Sequence, residues 1–220
     1  MQLCEKYRPR NWADFIGQSK TVSRVRALLA RLGFGEGAGD CLWIAGPSGT
    51  GKTTLAHLVA GELGADDFWA CLELEGKHVN AQTVRELGEW LHLMPPFGAW
   101  KVVIINEGQS IRDGAVEAFL GLLEHLPAHR LVIFTSTIAV GENLFGEFTG
   151  PISSRCKPLT FTNQGLAQLF AARAKAIADA EGLNGQSEQQ YLRLVQDCHN
   201  NMRAVLQRID AGELVGPETK

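Results

Sequence analysis

The chain carries no surplus of charge of one sign. Its 21 lysines and arginines stand against 24 acids, a net charge of -3, so bulk electrostatics makes no case for a nucleic-acid binder and any basic surface has to be local. It has no apolar run near the roughly eighteen residues that a membrane span needs, which argues against a membrane partner. Its cysteines, Cys4, Cys41, Cys71, Cys156 and Cys198, are odd in number and far apart, with no C-x-x-C pair. A disulfide framework or zinc ribbon is therefore not expected, and buried reduced thiols in a cytoplasmic protein are. The opening MQLCEKYRPR runs into polar sequence and does not read as a signal peptide. No internal repeat and no low-complexity tract is visible.

What is present is enough apolar sequence, 45% of 220 residues, to bury a proper core, as one large domain or as one of about 150 residues with an appendage. Strand and helix patterns alternate over residues 1–161. TVSRVRALLARL places Val22, Val25, Leu29 and Leu32 at helical spacing, with GFGEGAGD as its stop. CLWIA, FWACLEL, KVVII, RLVIFTS and KPLTF read as strands, the all-apolar KVVII as a central parallel one. TTLAHLVAGEL, AQTVRELGEWLHLM and GAVEAFLGLLEHL read as helices; the second shows Val84, Leu87, Leu91 and Met94 on one face, with Pro95 and Pro96 ending it. The expected architecture is a three-layer α/β domain around a five-stranded, mostly parallel sheet. After Phe161 the strand signal stops. Three helical segments, TNQGLAQLFAARAKAIADAEG, SEQQYLRLVQDC and NNMRAVLQRI, predict a small helical lid over 162–220.

Between CLWIA and the following helix lies GPSGTGKT, which fits G-x-x-x-x-G-K-[ST] in the strand–loop–helix setting that a phosphate loop requires. Its glycines let backbone N–H groups curl around phosphate oxygens, and the helix N-terminus adds its positive end. Gly46, Pro47, Ser48, Gly49, Thr50, Gly51, Lys52, Thr53 and Thr54 are thus the candidate ATP-binding residues. Lys52 would reach the β- and γ-phosphates and the Thr53 hydroxyl would ligate Mg²⁺. The competing reading is a Gly-rich turn beside a surface lysine.

Such a loop needs a second, parallel strand whose tip holds acids near Mg²⁺ and the attacking water. VVIINE supplies it. Glu107 is the candidate for polarising water; the alternative is that it caps a helix beginning near Ser110.

EKYRPRNWADFIGQ (residues 5–18), GPSGTGKTT, VVIINE, SSRC (153–156) and NMRAVL (201–206) follow one another at fitting distances. Together they resemble the AAA+ clamp-loader ATPases: replication factor C small subunits and the gamma/tau subunit of bacterial DNA polymerase III. The resemblance implies that Tyr7, Arg8, Ile16 and Gly17 cup the adenine, and that Arg155 of S-R-C reaches in trans into a neighbouring subunit's ATP site. It implies that Ser136, or else Thr135 or Thr137, senses the γ-phosphate, and that Arg203 contacts it in cis. Lys77, Gln82, Arg85 and Arg112, at helix starts, match positions that grip DNA phosphates. The apolar face of the last helix holds Met202, Val205, Leu206 and Ile209, with Arg203 at its edge.

The implied activity is ATP hydrolysis by an oligomer of AAA+ subunits, coupled to loading a sliding clamp on primer-template DNA. Two departures bear on it. Clamp loaders carry a further helical collar of about a hundred residues, whereas this sequence stops at GELVGPETK; assembly would then use the AAA+ faces alone, a partner's collar, or a longer form of the chain. Asn106 stands where the family has Asp. An Asp there accepts charge-assisted bonds from Mg²⁺-bound water, about twice as strong as neutral ones; the Asn carbonyl accepts such a bond without the charge. This predicts weaker Mg²⁺ holding and slower turnover with ATP binding intact. Two other readings are a hydrolysis-poor subunit that lends Arg155 to a neighbour, and a small-molecule P-loop kinase, which the finger and lid disfavour.

Overall fold

A computed structural model describes residues 1–32, 39–65, 67–94, 100–138 and 150–215. The expected stops at 33–38 and at Pro95 and Pro96, and the tail after Val215, lie outside them. Five strands form one sheet: β1 (Asp40–Ala45), β2 (Cys71–Glu75), β3 (Lys101–Asn106), β4 (Arg130–Ser136) and β5 (Lys157–Thr160). Their order is β2-β3-β4-β1-β5 and every pairing is parallel. All six residues of β3 and all seven of β4 are buried, as interior strands of a helix-covered parallel sheet must be. β4 stands between β1 and β3, and it sets Ala45 beside Ser136 and Ile105 beside Phe134. The tips of β1, β3 and β4 therefore finish on one edge of the sheet, where ligands of open α/β sheets sit.

The chain divides into two compact units. The sheet unit comprises 20–46 and 52–161. It includes α2 (Ser19–Leu32), α3 (Lys52–Glu62), α4 (Ala81–His92), α5 (Asp113–Glu124) and α6 (Gly150–Arg155), α2 from its second residue on. Its core stacks Trp43 on Phe134 at 5.4 Å, with Phe119 edge-on to Phe134 at 5.2 Å. Val25 and Leu29 are buried as their spacing predicts. The helical unit comprises 1–19, 47–51 and the residues from Thr162 on. Here α1 (Leu3–Lys6) joins α7 (Ala167–Glu181), α8 (Glu188–Asp197) and α9 (Met202–Asp210). Leu3 is buried with Phe170, Ile177, Leu194 and Ile209, which is why the first residues group with the last helices rather than with the sheet, across the linear division at 161/162.

Three expectations need correction. FWACLEL becomes strand only from Cys71: the Asp67 carboxylate accepts the N–H groups of Trp69 and Ala70, an Asx turn that holds the backbone off the ladder and leaves Phe68 and Trp69 exposed. Met94 lies past the end of α4 and is exposed, not on its apolar face. Finally, Cys41 and Cys156 form a disulfide rather than remaining reduced. The register is the reason. Leu42 pairs with Lys157 across β1 and β5, so the residues just before them are set side by side, with Cα atoms 4.6 Å apart. Residues 115 apart in sequence carry no local sign of this. Cys4, Cys71 and Cys198 are free thiols.

Candidate functional site

Gly46 leaves β1 and its N–H bonds to the Ser136 carbonyl at 3.1 Å, fastening the start of the phosphate loop to the tip of β4. Lys52 opens α3, is 7% exposed and donates from Nζ to the Gly46 carbonyl at 2.8 Å. Its ammonium is thus folded over the loop entrance rather than out in water, contrary to the surface-lysine reading. Pro47–Gly51 group with the helical unit. Within that unit Gly49 has φ +73°, and a Cβ there would meet Asn201 Oδ1 at 1.8 Å. Both its conformation and its close neighbour demand glycine. The Gly49 carbonyl accepts the Met202 N–H at 3.3 Å, and Asn201 caps α9 by accepting the Ala204 N–H at 3.1 Å.

The tip of β3 meets the first turn of α3. Asn106, 7% exposed, accepts at Oδ1 from Thr53 Oγ1 at 2.9 Å and from Thr135 Oγ1 at 3.0 Å. Its Nδ2 donates to Glu73 Oε1 at 2.5 Å. The other Glu73 oxygen is 2.9 Å from His57 Nε2. His57 is four residues beyond Thr53, so both occupy one face of α3. Gly76 lets the turn after β2 lie close to this tip, since a Cβ there would come within 2.6 Å of the Glu107 carbonyl.

Glu107 takes a left-handed conformation, φ 51° and ψ 50°. Its carboxylate accepts from Gln109 Nε2 and, at 3.4 Å, from Thr137 Oγ1. It caps no helix through its side chain: the turn at Gly108–Ser110 has no side-chain cap, and α5 begins after Arg112. Only the Glu107 carbonyl serves that turn, accepting from the N–H and hydroxyl of Ser110.

Other candidates are placed elsewhere. Ser136 is fully buried and turns its hydroxyl onto Ile138, donating to its carbonyl at 3.0 Å and accepting its N–H at 3.1 Å. The β4 hydroxyl that reaches Asn106 is therefore Thr135's, because alternate strand residues face opposite sides. Arg155 donates through Nε and Nη2 to Glu124 Oε1 at 3.0 and 2.7 Å, and through Nη1 to the Pro151 carbonyl at 3.1 Å.

In the helical unit Tyr7 donates its hydroxyl to Glu181, which also takes Lys6 at 2.5 Å; these bonds hold the Glu181 carboxyl below the ordinary carboxylate value. Arg8 pairs with Glu5 at 2.6 Å. Ile16 packs against the core of this unit, and Gly17 is left-handed, with no room for a Cβ beside Leu166. Arg203 is exposed on α9, whose face of Val205, Leu206 and Ile209 is buried. Lys77, Gln82, Arg85 and Arg112 are exposed in the sheet unit, Gln82 bridging Glu86 and Arg85. Sequence reasoning missed Glu73 and His57. For His57 the four-residue step from Thr53 was a usable signal. For Glu73, on an edge strand, a solvated face was the ordinary reading.

The donors at the β3 tip suit Mg²⁺. A hydroxyl and an amide carbonyl are hard oxygen ligands, and Mg²⁺ takes one or two protein groups, keeping the rest of its shell for water and phosphate. Among the described residues no three His, Cys, Asp or Glu stand together to hold a metal alone.

Comparison with known proteins shows what this chain resembles. Residues 64–165 match the family model "DNA polymerase III, delta subunit", and residues 7–71 match "Holliday junction DNA helicase RuvB P-loop domain". The replication factor C small subunit of Aeropyrum pernix is 28% identical over 227 aligned residues, covering 100% of this chain and 65% of its own length. Replication factor C subunit 2 of Arabidopsis thaliana is 31% identical over 180, covering 79% and 50%. This chain therefore spans between 50% and 65% of these two relatives. Among solved structures, the RuvB Holliday junction branch migration motor of Thermotoga maritima superposes with TM-score 0.68 at 19% identity, over 97% of this chain and 70% of that one. A DNA polymerase III gamma subunit-related protein of the same organism gives 0.54 at 14%, over 82% and 69%. The chain has the P-loop AAA+ fold and resembles in sequence the clamp-loader ATPases, replication factor C small subunits among them.

Proposed function

We propose that the chain is an ATP-hydrolysing subunit of clamp-loader type, cytoplasmic and active as an oligomer of AAA+ subunits. The observation that carries this is the hydrogen bond from Thr53 to Asn106, which joins the phosphate loop to the strand tip that bears Glu107. ATP binds through the backbone of Gly46–Thr54 and Lys52, with Tyr7, Arg8, Ile16 and Gly17 toward the adenine. Thr53, and Asn106 through a water, would hold Mg²⁺, which would supply positive charge against the β- and γ-phosphates. Glu107 orients the attacking water, and its ties to Gln109 and Thr137 keep it poised at the end of β3. Thr135 replaces Ser136 as the β4 residue best placed to feel the nucleotide, since it already shares Asn106 with Thr53. Arg203 completes the site in cis.

Arg155 acts in trans on a neighbour's nucleotide, with Glu124 holding the guanidinium until then. A finger of this kind is worth roughly 10³–10⁵ in rate, more than one outer-sphere charge at Asn106 contributes, so assembly governs turnover. The assembled spiral grips primer-template DNA through Lys77, Gln82, Arg85 and Arg112 and opens a sliding clamp; hydrolysis releases both. Steady-state ATPase with and without primed DNA tests this. Stimulation by DNA that disappears in Arg155→Ala supports it.

A second reading is favoured by Asn106 itself: a hydrolysis-poor subunit that lends Arg155 to a partner. Tight ATP binding without turnover, with or without DNA, would select it.

A further inference from the structure

Asn106 is an amide whose two ends are chemically opposite, so the direction in which it is held decides what it offers. Three groups surround it. The hydroxyls of Thr53 and Thr135 can each donate or accept and by themselves set no direction. The Glu73 carboxylate can only accept, so Nδ2 must face Glu73 and Oδ1 must face Thr53. Glu73 is itself held, with one oxygen on Asn106 and the other on His57. His57 and Thr53, one helical turn apart on α3, thereby bracket the Glu73–Asn106 pair from a single rigid element.

We infer that Glu73 is a positioning residue for the Mg²⁺-nucleotide. It fixes the Asn106 carbonyl toward Thr53, and it supplies, from the neighbouring strand, the negative charge that Asn106 lacks. The charge that an aspartate would carry at the strand tip is divided here between an amide that accepts and a carboxylate behind it. A hydrogen bond to an ionised acceptor polarises the amide, making Oδ1 a stronger acceptor for the water shell of the cation. The arrangement also gives Asn106 its reason. An aspartate at that position would put two carboxylates within hydrogen-bond reach of each other, where like charges oppose joint ionisation. Glu73 and Asn106 belong together, and neither is best alone.

This inference rests on the nucleotide site proposed above, and its test separates the two. The affinity of the protein for a fluorescent ADP analogue is measured in EDTA and in Mg²⁺, and the ratio is the gain due to the cation. Glu73→Ala is expected to leave the EDTA affinity within about twofold and to cut the Mg²⁺ gain five- to tenfold; Glu73→Gln, which keeps the shape, cuts it by less. In an Asn106→Asp background the effect reverses: Asn106→Asp/Glu73→Gln shows a larger Mg²⁺ gain than Asn106→Asp alone. Thermal unfolding of each variant shows that it is folded, and Glu73→Gln serves if Glu73→Ala is not.

A purely structural role for Glu73 would lower both affinities together and give no reversal, and that result overturns the inference. So does a Mg²⁺ gain within twofold of the parent's in Glu73→Ala, or effects at the two positions that multiply independently. Failure of the parent protein to bind the analogue in either condition overturns the nucleotide site and this inference with it. Binding in the parent with no change in the variants overturns the inference alone.

Discussion

Asn106 ends β3 and Glu107 follows it, and the two side chains are held differently. Asn106 is drawn into the sheet edge by two threonines and a glutamate. Glu107, turned by its left-handed backbone, points its carboxylate at Gln109 and Thr137. Two residues before Glu73, Cys71 reports on the same strand. Its thiol is pushed up to about 11, first by burial and then by the charges of Glu73 and Asp67. The thiolate is the reactive form. A rise from 9.0 to about 11 therefore predicts that iodoacetamide at pH 8 labels Cys71 about a hundredfold more slowly in the folded chain than in urea, as peptide mass spectrometry would show. Equal rates would contradict that placement. Because the folded thiol holds its proton more tightly, its contribution to stability is complete below pH 9 and is lost as pH rises through about 11.

At the scale of elements, α4 shows how the sheet anchors its helices. Its N-terminus is closed by a capping box between Asn80 and Thr83. Its C-terminus is closed by two buried cations from the starts of neighbouring strands. Lys101 gives Nζ to the Trp90 carbonyl at 2.6 Å and lies over the Trp90 ring. Arg130 donates to the carbonyls of Leu91, Leu93, Ala128 and His129. Burial, and then Arg130's charge, pull the Lys101 value down, so the pair persists because helix-end carbonyls accept from it and the helix dipole favours positive charge there. Arg130→Met would take the guanidinium's bonds from these carbonyls, of which only that of His129 is shown to keep another donor, the Lys101 N–H at 3.0 Å, and is expected to lower stability by roughly 2–3 kcal/mol. Lys101→Met, which removes one such bond, should cost less. Urea unfolding checks both the size and the order; a neutral Arg130→Met would show that the carbonyls find other partners.

At the scale of the whole molecule, the trans role proposed for Arg155 would require a second AAA+ subunit. Arg155 sits exposed on α6 and is paired with Glu124 of α5, a pair too exposed to add much stability and easily exchanged for a phosphate. A slowly hydrolysed ATP analogue is therefore expected to move the protein from its chain mass of 24.0 kDa to a multiple of it, measured by light scattering. A mass that stays at 24.0 kDa with the analogue bound would remove the trans assignment between copies of this chain.

Period and spacing made the strands, most of the helices, the parallel sheet and the phosphate loop legible before any coordinates, because each rests on neighbours within a few turns of chain. The position of Glu107 directly after an apolar strand was legible for the same reason. What joins distant segments was not. The Cys41–Cys156 disulfide depends on the register of β1 with β5, the choice of Thr135 over Ser136 on which side of β4 faces Asn106, and the closing of α4 on cations from two other strands. Glu73 is the sharpest case. In sequence it is a charged residue on a strand, and only the pairing of β2 with β3 carries its carboxylate to the amide at the tip. Local pattern determined which elements form and what chemistry they carry. Strand order and register, which depend on contacts between segments far apart in the chain, decided which of those side chains meet.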